Sequence, residues 1–302
     1  MSNLIAPDSI IKDLNKIGRS EAIERLHNLY TVADNKKTRM RILEILNDLK
    51  DNSHFEEIEN YFISDEDPDV RMEAAKLLAF NYNKRKAIKP LIWVIENEKK
   101  PDVKYTALNL LVPLAERKEF RETIIKSLKK ALTSNDDRLK MHAAESLGYL
   151  NETSSANLLL EMLNSSSKLV RIRVIQALGN LKNKRAISPL IENLGLGSFD
   201  VWEYAFEALK KIVNGETLIE LLLDALKDTA VNKNKIEIGY LRRGLIKALG
   251  ELGNERAISF LINALKDWYD WVREEAILAL GKIEPDWRRK YISLLKRKNI
   301  NF

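Results

Sequence analysis

One arrangement of apolar and polar positions returns down this chain. It is plainest in DPDVRMEAAKLLA from Asp67, KLVRIRVIQALG from Lys168 and WVREEAILALG from Trp271. A cation marks the register at Arg39, Arg71, Lys104, Lys140, Arg171, Arg242 and Arg273, with Trp202 in the equivalent slot, so the steps are 32, 33, 36, 31, 31, 40 and 31 residues. Seven residues beyond that slot the chain always has leucine: Leu46, Leu78, Leu111, Leu147, Leu178, Leu209, Leu249 and Leu280. One residue before it, from the second repeat on, stand Val70, Val103, Leu139, Val170, Val201, Leu241 and Val272. Positions three and six residues on are small or apolar, as in Ala74 and Leu77, Ala143 and Ser146, or Ala276 and Ala279. Apolar residues at i, i+3, i+4 and i+7 form one face of an α-helix.

Gly148, Gly179, Gly250 and Gly281 follow the leucine, where a left-handed residue is expected to close the helix. A second apolar helix then opens, in KAIKPLIWVI from Lys86, RAISPLIENL from Arg185 and RAISFLINAL from Arg256, with Pro90 and Pro189 expected near its first turn. A hairpin with a single apolar face cannot stand alone, but stacked copies bury a continuous core. The expected fold is all-α, a right-handed α-solenoid (an alpha-alpha superhelix) of about eight two-helix repeats with terminal capping helices. It is expected to be one domain over residues 1–302, with 1–36 as N-terminal cap and first outer helix, 37–283 as repeats and 284–302 as a basic capping helix.

The order of an acidic turn, V-R, A-A-x-A-L-G, a loop and R-A-x-x-P-L-I-x-x-L resembles the HEAT-like repeat family named after the phycobilisome lyases, over roughly residues 37 to 283. The resemblance implies an armadillo-like solenoid. It implies no single function, because such repeats occur in lyases, hydroxylases, scaffolds and DNA-repair proteins. The cation that starts each inner helix stands beside acids such as Asp69, Asp102 and Asp137, so a ladder of ion pairs and hydrogen bonds between adjacent turns is expected rather than a row of phosphate contacts.

Composition sharpens this picture. With 11 Gly and 7 Pro in 302 residues, turn formers are scarce. The chain has no Cys, which removes disulfides, thiolate nucleophiles and Cys-based metal sites and fits a reducing compartment. The opening MSNLIAPDSIIKDLNK has no basic start followed by an apolar run, and no stretch is long and apolar enough to span a bilayer, so a cytoplasmic protein without membrane partners is expected. The 50 Lys and Arg exceed the 44 Asp and Glu to give +6, but Arg288, Arg289, Lys290, Lys296, Arg297 and Lys298, against Asp286 alone, supply most of it. The rest of the chain is near neutral.

No catalytic, cofactor-binding or metal-ligating residue stands out, and no cofactor is expected. The hydroxylases that resemble this repeat hold two irons with His-Glu pairs on inner helices; this chain has no His-Glu dipeptide. Its one inner-helix histidine, His142, is expected on a partly exposed surface, while His27 and His54 lie far upstream. Alkyl-base glycosylases with similar repeats use Trp, Asp and Arg along a basic channel, yet Trp271, Arg273 and Glu275 do not share a helix face, and the body lacks positive charge. Phosphate-loop, nucleophile-elbow and zinc-protease motifs are missing.

Departures from the repeat point to partner binding. Phe199, Trp202, Tyr204, Tyr240, Trp268, Tyr269 and Trp271 gather on turns and helix starts of repeats six to eight, where aromatics are either interface anchors or plugs between hairpins. The step of 40 residues holds an enlarged turn, DTAVNKNKIEIGY from Asp228, in which Lys233 and Lys235 accompany the aromatics. Two readings remain open. The first is a protein-interaction scaffold using the concave inner-helix face and the aromatic edge of repeats six to eight. The second is a nucleic-acid-binding or DNA-repair protein, with Arg288, Arg289, Lys290, Lys296, Arg297 and Lys298 on phosphates and the nearby Trp residues on bases. Oligomeric state is not encoded in these patterns.

Overall fold

The computed structural model describes residues 6–82, 84–195, 199–229 and 235–297, and these form helices and turns with no strand among them. They pack as two compact units, 1–146 and 147–302, whose boundary falls inside one helix. Among the described residues no helix is long and apolar enough to cross a membrane.

In the first unit, α1 (Pro7–Lys12) and α2 (Leu14–Ile17) precede paired helices. The pairs are α3 (Arg19–Val32) with α4 (Lys36–Asp48), α5 (Phe55–Ser64) with α6 (Pro68–Asn81), and α7 (Lys84–Asn97) with α8 (Pro101–Leu111). A 3-10 stretch, Val112–Glu116, then leads to α9 (Lys118–Leu132) and α10 (Asp137–Tyr149), which carries the unit boundary. The second unit continues with α11 (Ala156–Met162), α12 (Lys168–Asn180), α13 (Ile187–Asn193), α14 (Phe199–Ile212), α15 (Gly215–Asp228), α16 (Ile236–Leu252), α17 (Ile258–Ala264) and α18 (Asp270–Ile283). Among the described residues eight outer–inner hairpins result, from α3–α4 to α17–α18. The chain closes on two short helices, α19 (Trp287–Lys290) and α20 (Ile292–Arg297), where one capping helix was expected; Trp287 and Leu295 anchor them.

The register read from the pattern is the register of the core. All eight leucines, Leu46 through Leu280, are fully buried, as are Val70, Val103, Val170, Val201 and Val272. Leu241 is only half-buried. The 40-residue step is spent partly on helix: α16 runs 17 residues where α12 has 13 and α18 has 14, so Ile236 to Tyr240 are helical rather than part of a loop. Lys233, assigned to that turn, lies outside the described residues.

The expected glycine closures are corrected. Gly148, Gly179, Gly250 and Gly281 all remain inside helices. After Gly148, Gly179 and Gly250 the left-handed residue comes three positions later, at Asn151, Lys182 and Gly253, and with Lys50 of the first repeat these stand eleven residues after the register cation. Close approach explains three of the helical glycines: a Cβ on Gly148, Gly179 or Gly250 would lie 2.8, 2.9 or 2.8 Å from an atom of Ala177, Ala208 or Ala279 on the next inner helix. Pro90, expected near a helix start, falls inside α7.

Candidate functional site

At its arginine positions the register cation makes two kinds of contact, and Arg71 makes both. It donates back to the carbonyls six and five residues before it: Arg71 Nη1 to Asp65 (2.6 Å) and Glu66 (3.2 Å), Arg171 to Ser165 (2.5 Å) and Ser166 (3.2 Å), Arg273 to Asp267 (2.8 Å) and Trp268 (3.4 Å). It also reaches the turn of the next repeat, Arg39 to Asp65 and Glu66 (3.0 Å each), Arg71 to Glu98 (2.8 Å) and Arg242 to both oxygens of Asp267 (2.6 and 2.8 Å). The ladder is real, but its acids are only partly those named from the sequence: Asp137 pairs with the register cation Lys140, whereas Asp69 pairs with Lys36 and Asp102 faces Arg138.

Where Trp202 replaces the cation, the fold closes around it. The indole is buried, donates to the Gly244 carbonyl (3.0 Å), stacks on Phe206 and carries Lys247 Nζ 3.9 Å from its ring centre. Burial lowers the pKa of Lys247 there. Gly244 in turn must be glycine, since a Cβ would lie 2.0 Å from the Leu194 carbonyl oxygen. Trp202 therefore plugs the joint between α14 and α16 and offers no surface, and Tyr204 is half-buried beside it. The Phe199 side chain lies outside the described residues.

The other aromatics converge at the joint of repeats seven and eight. Tyr240, Trp271 and Tyr269 form one stack, with ring centres 5.8 Å (Tyr240–Trp271) and 4.5 Å (Tyr269–Trp271) apart. The turn beneath them is pinned on three sides. Asp267 takes Arg242 and the amide of Tyr269 (3.1 Å), Arg273 takes the carbonyls of Asp267 and Trp268, and Gly239 lets the Tyr269 ring lie where a Cβ would be 2.6 Å from it. On this rigid turn Trp268 is 70% exposed, and Tyr240 on α16 is 40% exposed. Ile236 and Leu169, at other inner-helix starts of this unit, and Leu278 on α18 are exposed as well. The Trp271 indole N–H is buried and meets no acceptor among the described residues. Lys235 is exposed at the start of α16.

The basic end is less concentrated than the sequence implies. Arg288, Arg289, Lys290, Lys296 and Arg297 are exposed but divided between α19 and α20, and Lys298 lies outside the described residues. Arg289 pairs with Asp286 (3.3 Å) and Lys290 with Glu284 (2.5 Å).

A constellation missed in the sequence lies in the first unit. His27 on α3 and His54, just before α5, stack with ring centres 4.3 Å apart and meet at Asp51 in the intervening loop. His27 Nε2 is 3.0 Å from Asp51 Oδ2, and His54 Nδ1 is 3.3 Å from Oδ1. Tyr82 Oη donates to Oδ2 (2.5 Å), the amide and hydroxyl of Ser53 donate to Oδ1, and Tyr61 Oη lies 3.1 Å from His27 Nδ1. Burial works against the Asp51 charge, but the hydrogen bonds from His27, Tyr82, Ser53 and His54 outweigh it and hold the carboxyl well below its ordinary range. Burial, Asp65 and Asp51 push the Tyr30 and Tyr82 hydroxyls upward. Tyr61 also walls a cleft of about 350 Å³ with Tyr30, Ala33, Arg39 and Asp65. The histidines are thus not scattered; His142 alone stands apart, half-buried against Tyr105. One signal was available. Five residues after the alanine of the outer helix the repeat places Ile92, Ile191 and Ile262, and the first repeat places His27.

A family model described as HEAT repeats matches residues 125–210, 159–239, 197–281 and 237–297, together more than half of the chain. No curated protein matches the sequence significantly. Among solved structures, the Escherichia coli protein YibA is 18% identical over 86% of this chain and 92% of its own, with a TM-score of 0.52. The CpcE–CpcF complex of phycocyanin lyase from Nostoc sp. PCC7120 is 20% identical over 77% of this chain and 88% of its own (TM-score 0.45). A designed armadillo repeat protein in complex with the peptide (KR)4 is 18% identical over 77% and 100% (TM-score 0.38). At these identities the likeness is one of fold.

Proposed function

We propose, from the premise that this chain belongs to the HEAT-repeat family, that it is a protein-binding scaffold whose contact surface is centred on the aromatic edge of repeats seven and eight. A solenoid of such repeats is a fold generally used for protein binding. The observation that carries the finer reading is Trp268, 70% exposed on a turn fixed by Arg242, Asp267 and Arg273. A large aromatic already held in place loses little entropy on binding, and Trp is enriched among residues that dominate interfaces. Tyr240 and Arg243 on α16 and Leu278 on α18 are exposed as well. The absence of Cys supports a cytoplasmic location for this activity. The basic end is a weaker candidate, because two of its cations are already engaged by acids and its helices are short.

The test is recovery of partners from the native cell with the full chain and with Trp268→Ala and Tyr240→Ala, followed by affinity measurement with the purified partner. Both variants should keep the wild-type circular dichroism, and each should weaken the complex by about 1.4–2.8 kcal/mol, roughly 10- to 100-fold. Unchanged affinity in both variants, or a salt-sensitive complex with duplex DNA lost in Arg288→Ala/Arg289→Ala, would count against this reading.

A further inference from the structure

We propose that His27, Asp51 and His54 form a binding site for one divalent transition-metal ion of the zinc class. One nitrogen or carboxylate oxygen from each residue lies within 4.8 Å of the others. His27 Nε2 lies 3.0 Å from Asp51 Oδ2 and His54 Nδ1 3.3 Å from Asp51 Oδ1, so each imidazole nitrogen has its own carboxylate oxygen beside it, at the spacing of neighbouring ligand atoms around an ion with bonds of about 2.0–2.1 Å. The ion takes the place of the protons now shared across those contacts. Imidazole, imidazole and carboxylate suit zinc and its neighbours better than magnesium or calcium.

Three features set this cluster apart from an ordinary polar core. First, Asp51 is fully buried, and among the described residues no Lys or Arg pairs with it. A buried carboxylate without a fixed cation calls for positive charge, which a divalent ion supplies. Second, the surrounding hydrogen bonds already have the form that metal ligands use. Tyr61 Oη holds the far nitrogen of His27, and Tyr82 and the Ser53 amide hold the carboxylate. Third, the cluster departs from the repeat at both of its buried positions. Asp51 stands twelve residues after the register cation, where Glu152, Asn183 and Asn254 are half-buried and each accepts the amide two residues on, as Asp51 does from Ser53. Among the described side chains at this position only Asp51 is fully buried, and it faces His27, at a slot where three other repeats place isoleucine, and His54.

The three ligands come from α3, the loop after α4 and the entry to α5, so the ion would staple the first hairpin to the second. Such a staple stabilises that joint more as the free ion concentration rises. His54 is the half-exposed ligand and the side from which an ion enters.

The experiment uses the full chain stripped with a chelator, titrated with Zn²⁺ by calorimetry and unfolded thermally at several free Zn²⁺ concentrations. We expect one ion per chain and a Tm that climbs with Zn²⁺. His54→Ala removes the most exposed of the three ligands and should weaken binding about 100-fold or more. Tyr61→Phe keeps the ring stacked on Tyr30 and should weaken it about 10- to 100-fold. His142→Ala should change nothing, and bound Co²⁺ should give visible d–d absorption that His54→Ala abolishes. Absence of saturable binding at one ion per chain overturns the proposal. So does Zn²⁺ binding that survives His54→Ala or falls with His142→Ala.

Discussion

Arg242 shows what one side chain contributes here. It is buried, and its guanidinium meets both oxygens of Asp267, whose own side chain is nearly enclosed. Removing one partner of such a pair strands the other charge away from water, so Arg242→Ala should lower unfolding stability by about 3–5 kcal/mol. Lys210→Ala, which breaks the exposed pair with Glu207, should cost less than about 0.5 kcal/mol. Urea unfolding of both variants measures the contrast. The same ladder makes a prediction about pH. Burial raises the Glu98 pKa, but the Lys100 amide, the charge and hydrogen bond of Arg71 and the Lys99 amide outweigh it, so the carboxyl is held below its ordinary value of 4.5. The unfolded chain takes up a proton near that value that the folded chain refuses. Glu98 therefore stabilises the fold above the ordinary range, and this contribution is lost as the pH falls through it and toward the lower folded value. Glu98→Gln should flatten the loss of stability on acidification below about pH 4.5, as read by urea midpoints across the acid range.

At the scale of helices, stacking depends on where a Cβ is absent. Gly179 lets α12 lie on α14 at Ala208, whereas a Cβ at Gly281 meets nothing within 4 Å. Gly179→Ala should thus destabilise by about 1–3 kcal/mol through overpacking, and Gly281→Ala should stabilise by up to about 1 kcal/mol through helix propensity; opposite shifts in Tm are the readout. The sequence could not separate these roles, because a glycine after a leucine fits both a helix end and a close approach. The true left-handed residues at Lys50, Asn151 and Lys182 carry no mark of their own. Hairpins, register and core were legible because the same side chain meets the same neighbours in each repeat. The aromatic edge was legible as composition, but not which ring was exposed: Trp202 and Trp268 look alike in sequence, and only the hydrogen bond to Gly244 separates plug from projection. The meeting of His27 with His54 was legible only as a histidine where repeats three, six and eight place isoleucine.

For the molecule as a whole, a repeat array is held by contacts between neighbours, and its stability is closer to a sum along the chain than to one block. The two compact units each have their own buried leucines, Leu46, Leu78 and Leu111 in the first, and Leu178, Leu209, Leu249 and Leu280 among those of the second. Leu249 sits fully buried in α16, which packs on α15 and α18. Leu249→Ala removes its side chain from that core and should cost about 3–5 kcal/mol where the loss is felt. Native-state hydrogen exchange resolves where that is, since each amide reports the free energy of the opening that exposes it. Amides of α14 to α18 should lose about 100-fold or more of their protection, while those of α3 to α8 should change by less than about threefold. An equal loss in both units would mean that they open as one cooperative block, and the neighbour-by-neighbour account would fail for this chain.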